Sequence, residues 1–192
     1  MTNFIWENLF NENHKEKTLR QKLKASFLFQ DLNTNELKML EKIVNIRTFR
    51  PGEIIFRQGD VGVGMYIISK GFVNIYIEEI VPETGEPRTA HITQLGEGEF
   101  LGDLALVEMN GRRSASAVAH QETVLIGFFK PDVLEMANRN PVAGVKILMR
   151  LAEVLGTRLS ETTAKISELR KDPSTKKEAP AKKETQPIKD KP

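Results

Sequence analysis

Between Ile46 and Phe129 the chain meets a glycine or proline corner about every ten residues, with short apolar-rich runs between the corners. Short strands at such spacing must close on themselves or leave bare edges, so this stretch restricts the fold to an antiparallel barrel or jelly roll. Pro51-Gly52 and Gly59 to Gly64 are the first two corners, and the apolar run Met65-Tyr-Ile-Ile68 follows them. Gly71 separates Met65 to Ser69 from Val73 to Ile77. The polar stretch Glu78 to Pro87 reads as a hairpin loop before His91 to Leu95, and Ser116 to Val118 and Thr123 to Phe129 complete about eight strands.

Helical patterns flank this core. Phe4, Ile5, Trp6, Leu9 and Phe10 fit one face of a short N-terminal helix, which either folds back onto the domain or docks a partner or membrane surface. Leu19, Leu23 and Phe27 mark a second helical face, and Asn33-Thr-Asn-Glu36 offers a capping box for a helix running to about Val44. After Pro131 the period is helical again, first briefly and then from Pro141 to Arg170. There Leu148, Ala152, Leu155, Leu159, Thr162, Ile166 and Leu169 recur at steps of four and three, a seam of about three heptads that calls for a partner helix. Part of that helix packs on the barrel; the rest predicts a parallel homodimer through Leu148 to Leu169. Thr162-Thr163 interrupt the seam, either to set its register or to offer hydroxyls to a ligand.

The fold class is therefore mainly β with flanking helices (α+β): a double-stranded β-helix, or jelly-roll, barrel with N-terminal helices and a long C-terminal dimerisation helix. Residues 1–24 read as a helical extension, 25–170 as the domain, and 171–192 as a disordered Lys-, Pro- and Glu-rich tail, because almost nothing in the tail is apolar. The tail serves solubility, tethering or a weak contact with acidic surfaces. It also carries the basic surplus. The 28 Lys and Arg stand against 26 Asp and Glu; without the tail's seven Lys and four acids the balance is 21 to 22, and the footprint of a general nucleic-acid binder is missing. Absence of cysteine excludes disulfides, thiolate metal sites and cysteine nucleophiles. With no signal-peptide pattern and no apolar window long enough to span a bilayer, the chain reads as soluble and cytoplasmic. His14, His91 and His120 are scattered, and no triad or paired-carboxylate site stands out, so no enzyme and no metal cofactor is expected.

One stretch carries chemistry: Phe100 to Ser116, FLGDLALVEMNGRRSAS. Gly102 lets the backbone approach a ligand closely, and Asp103 to Val107 form a short helical turn whose amides at Leu104 and Ala105 can point at a phosphate oxygen. Small Ala105 leaves them reachable. Asp103 can accept from a sugar hydroxyl, while Arg113 offers a fork of donors and Ser114 a hydroxyl to a phosphate. The other reading is a plain hairpin in which Asp103 and Arg113 pair with each other.

Gly98-x-Phe100-x-Gly102-acid-Leu104-Ala105-Leu106 followed by Arg113-Ser114-Ala115 resembles the phosphate-binding cassette of the cyclic nucleotide-binding domain family, and PGEIIFRQGD and MYIISKG resemble that family's β-roll. The resemblance covers about residues 25 to 170. The eleven-residue step from Gly102 to Arg113 and the segment Arg158-Leu159-x-x-Thr162-Thr163 are similar to the bacterial catabolite activator branch. The resemblance implies a regulatory module for cyclic AMP, with cyclic GMP second: Gly102, Leu104, Ala105, Arg113 and Ser114 would hold the cyclic phosphate, Asp103 the ribose 2′-hydroxyl with Arg158 nearby, and Thr162 and Thr163 the purine. The family usually has Glu at the place of Asp103, one methylene longer. That departure supports an alternative, a degenerate member acting as a structural or protein-interaction domain. The branch continues into a helix-turn-helix, whereas here a polar tail follows; the expectation is no direct DNA binding and output through a separate, unknown effector protein.

Overall fold

The computed structural model describes residues 19–82, 84–108 and 111–171, with side chains through Glu168. The aromatic N-terminal segment and the polar tail lie outside the described residues. Helix α1 covers residues 19–25 and is followed by a turn, then by α2 (Thr34–Glu41). Asn33 caps α2 as a full capping box: its side chain accepts from the amides of Asn35 and Glu36, and Glu36 returns a carboxylate to the Asn33 N–H at 2.7 Å. The helix stops at Glu41, short of Val44, because Lys42 tightens the end onto Met39 and Leu40 and the β-branched pair Ile43-Val44 leads into a strand.

Eight strands follow among the described residues: β1 (Asn45–Phe49), β2 (Ile54–Phe56), β3 (Gly64–Lys70), β4 (Val73–Ile80), β5 (Pro87–Leu95), β6 (Phe100–Leu101), β7 (Ser116–Ala119) and β8 (Thr123–Phe129). They form two antiparallel four-stranded sheets, in the orders β1-β8-β3-β6 and β2-β7-β4-β5. Phe49, Ile68, Val73, Leu101, Ala117, Ala119 and Leu125 are the core, drawn from strands of both sheets. This is the jelly roll expected from the corner spacing. The loop expected over Glu78 to Pro87 is shorter than expected. β4 and β5 continue their ladder through Glu78↔Thr89, Glu79↔Arg88 and Ile80↔Pro87, and an Arg88–Glu79 ion pair crosses it. Both faces of this hairpin end meet solvent, so polar residues here are strand residues.

β8 is covered on both faces. Leu125 belongs to the inter-sheet core, while Phe128 meets Phe29 edge to face at 5.3 Å and so joins the sheet to the helical layer. That layer contains α3 (Lys130–Arg139) and the first turns of the long α4 (Pro141–Lys171). Burial in α4 falls on Ala143, Ile147 and Leu151, a stripe at four-residue steps adjacent to the expected seam. The seam residues Leu148, Leu159 and Ile166 stay exposed, Leu159 at 69%. Charges fix the same turns of α4: Lys146 meets both oxygens of buried Glu36 at 2.8 and 2.9 Å, and Arg150 grips Asp31 through two nitrogens while lying over the Phe27 ring. The chain divides into two compact units between Glu153 and Val154, within α4. No helix among the described residues is long and apolar enough to cross a membrane.

Candidate functional site

β6 is only two residues long, pairing Leu101 with Tyr66 and Phe100 with Ile67, and the chain leaves it at Gly102. Gly102 adopts φ 74°, the left-handed region, and begins a 3₁₀ turn over Asp103–Leu106. The left-handed φ favours glycine, and a Cβ on Gly102 would stand 2.1 Å from Arg113 Nη1, so a side chain here would displace the guanidinium. Asp103 is 1% exposed, Ala105 and Leu106 are buried, and Leu104 faces outward. The Ala105 N–H closes the turn onto the Gly102 carbonyl at 3.2 Å.

The chain returns at Gly111 to Arg113 alongside the Gly59–Gly64 corner. Gly62 N–H donates to Gly111 O, Arg113 N–H to Asp60 O and Gly59 N–H to Arg113 O, all at 2.8 to 2.9 Å. This backbone pairing delivers the Arg113 side chain to the inside of the turn, where the residue is 8% exposed. Its Nη1 donates to Gly102 O at 3.1 Å and its Nη2 to Gly64 O at 2.7 Å. Its Cζ lies 4.1 Å from the centre of the Phe56 ring. Nε is buried with no hydrogen-bond partner.

Among the described residues Arg113 makes no ion pair, so the hairpin reading, in which it would pair with Asp103, is not the arrangement found. A guanidinium has five donors and stays a cation at neutral pH. Burial pushes its pKa below the ordinary value, opposed by Tyr66, Asp60 and Asp103. A buried cation satisfied by two carbonyl dipoles and a ring face keeps donors and positive potential for an anion. Ser114 is exposed next to it.

The cassette residues Gly102, Asp103, Leu104, Ala105, Arg113 and Ser114 are thus brought together. Arg158, Thr162 and Thr163 belong to the second unit. There they are exposed on α4, and the two threonine hydroxyls donate to the carbonyls four residues back, Arg158 O at 2.8 Å and Leu159 O at 2.9 Å. Sequence reasoning misses Phe56 and the Gly64 carbonyl. The glycines of the 59–64 corner are the one signal available for them, and by themselves they read only as a turn. Among the described residues no cluster of three or more His, Cys, Asp or Glu could hold a metal.

Two facing antiparallel sheets, a helical layer and a glycine-entered turn closed around a buried arginine define a jelly-roll ligand-binding domain. Residues 46–140 match the cyclic nucleotide-binding domain, and the chain belongs to that family. The chain is 34% identical over 139 residues to the cyclic AMP receptor protein of Thermus thermophilus, covering 72% of this chain and 60% of that protein. It is 34% identical over 110 residues to the cAMP-dependent protein kinase regulatory subunit of Candida albicans, covering 57% of this chain and 22% of that one. The crystal structure of the Thermus thermophilus catabolite activator protein is similar with a TM-score of 0.64 at 32% identity, covering 76% of this chain and 63% of the other. The chain therefore spans less than two thirds of each of these proteins.

Proposed function

We propose that this chain is a regulatory module that binds a 3′,5′-cyclic nucleotide, cyclic AMP in preference to cyclic GMP, and passes the signal to a separate effector protein through α4. The observation that carries the reading is Arg113: a guanidinium 8% exposed, without an ion-paired carboxylate among the described residues, at the mouth of a glycine-entered turn. Placing the cyclic phosphate there, with Ser114 and the turn at Gly102, Leu104 and Ala105, supplies the missing anion. Buried Asp103, the first residue of that turn, accepts from the ribose 2′-hydroxyl. Arg158, Thr162 and Thr163 are the residues for the ribose edge and the purine; to serve, each threonine redirects a hydroxyl now spent on its own helix. Exposed Leu148, Leu159 and Ile166 support a homodimer along α4.

The relatives add support: one is called a cyclic AMP receptor and another a regulatory subunit of a cAMP-dependent kinase. Calorimetric titration with cyclic AMP and cyclic GMP tests the reading. Saturable heat that Arg113→Ala abolishes supports it. A folded sample giving no heat with either nucleotide at high micromolar concentration overturns it in favour of a structural or interaction domain, and tighter binding of cyclic GMP overturns the role given to Thr162 and Thr163.

A further inference from the structure

Among the described residues Arg113 has no ion-paired carboxylate to orient it, and three contacts hold its guanidinium. Gly64 O and Gly102 O accept from the two Nη atoms, which fixes the plane of the guanidinium. The Phe56 ring, 4.1 Å away from Cζ, covers a face of that plane. Phe56 ends β2, where it pairs with Ala117 of β7, and it is half-buried. It is itself backed by other rings: Tyr66 stacks on it at 6.4 Å and 23°, and Phe129 meets Tyr66 edge to face at 5.8 Å. The column Arg113–Phe56–Tyr66–Phe129 is thus anchored in both sheets, through β2 on one and β3 and β8 on the other. The N–H donors of a guanidinium all lie in its plane; the two Nη atoms are engaged by carbonyls, and buried Nε is among the donors left without a partner.

We infer that Phe56 is a positioning residue for anion binding: its ring holds the Arg113 guanidinium, by a cation–π contact, in the orientation that presents its unengaged donors to a ligand phosphate. This rests on the cyclic-nucleotide reading of the site. The ring quadrupole is the operative property, so a side chain of equal bulk without π-density is a poor substitute.

The test replaces Phe56 in the full chain by 4-fluoro-, 3,5-difluoro- and 3,4,5-trifluorophenylalanine, which drain the ring face of electron density at nearly constant shape, and by Leu. Thermal melts confirm that each protein is folded, and calorimetry reads its affinity for cyclic AMP. Affinity is expected to fall stepwise with fluorine count, and Phe56→Leu to bind about three- to thirtyfold more weakly, the range of a partly to fully desolvated cation–π contact. Equal affinity across the fluorinated series overturns the inference, including when Phe56→Leu is weak, because the ring then acts as packing alone. The wild-type titration is read first: no binding of cyclic AMP or cyclic GMP there overturns the functional reading itself, a result distinct from binding that ignores the fluorines.

Discussion

Lys146→Met removes the cation from a carboxylate that has little water to turn to. Glu36 is 3% exposed, and its two oxygens accept from Lys146 Nζ at 2.8 and 2.9 Å and from the Asn33 N–H at 2.7 Å. Breaking a fully buried pair this way costs about 3–5 kcal/mol. The Lys146 side chain is 31% exposed and admits water to the pair, which brings the expected loss to about 2 kcal/mol. With a urea m-value of about 2 kcal/mol/M, the midpoint at pH 7 should fall by about 1 M. The pH dependence identifies the cause. In the wild type, burial pushes the Glu36 pKa up, but the Lys146 and Asn33 hydrogen bonds outweigh it and the carboxyl sits below the ordinary Glu value of 4.5. The stability from this group is therefore present above about pH 4.5 and is lost as pH falls through the depressed folded value. In Lys146→Met the lowering by Lys146 is lost while burial remains, so the folded pKa should rise and the stability this carboxylate contributes above about pH 4.5 should shrink. The gap between the two proteins should narrow between pH 7 and pH 4. Adding Glu36→Gln to Lys146→Met should recover most of the loss at pH 7, since Gln still completes the capping box. A gap that is constant or widens on acidification, with no recovery from the double substitution, would refute the argument and leave the Lys146 methylenes as the stabilising part.

Gly102→Ala places a methyl 2.1 Å from Arg113 Nη1 at φ 74° and should weaken cyclic AMP binding at least tenfold by calorimetry; Gly102→Asn, which tolerates the backbone angle but keeps the clash, should be no better. If Asp103 holds the ribose, the wild type should bind 2′-deoxy cyclic AMP about tenfold more weakly than cyclic AMP, and Asp103→Asn should shrink that ratio. Ile166→Glu on the exposed seam should convert a dimer to a monomer in sedimentation velocity. Gly144→Ala drives a Cβ to 2.7 Å from Ala137 Cα, separating α3 from α4, and should lower the melting temperature by several degrees.

Much of the fold is legible because its physics is local. Gly and Pro corners, β-branched runs and the Asn33–Glu36 box each act within a few residues, and each appears where the sequence places it. What escapes is decided by partners far apart in the chain. The end of the β4–β5 hairpin looks like loop because neither face is buried, leaving no apolar alternation to read. In α4 an a/d pattern marks one apolar stripe, but the turns that pack use Ala143, Ile147 and Leu151, a different stripe from the seam. At the candidate site, glycine spacing and the Arg-Ser pair mark the stretch that the fold gathers around Arg113. The cradle of Arg113 leaves only the glycines of the 59–64 corner, which read as a turn, because a carbonyl acceptor such as Gly64 O has no side-chain signature and Phe56 is remote from Arg113 in sequence.

The same contacts give the site a physical connection to α4 within the first unit. The 3₁₀ turn that begins at Gly102 packs on β3 and on α3. α3 starts where the Lys130 N–H donates to Val63 O, and the Lys130 ammonium reaches the Glu108 carbonyl just beyond the turn. α3 then lies against α4 closely enough that Gly144 has no room for a side chain, while Lys146 and Arg150 on the next turns hold Glu36 and Asp31. A ligand that remodels the turn acts on α3, and α3 cannot shift without straining either the Gly144–Ala137 contact or the two charge clamps. If the proposed signal passes through α4, those two ion pairs are contacts that movement of its root would have to break. Weakening them by Lys146→Met therefore does more than lower stability: it lowers the resistance against which the site must act, so any coupling from ligand to α4 should strengthen even as the fold loosens.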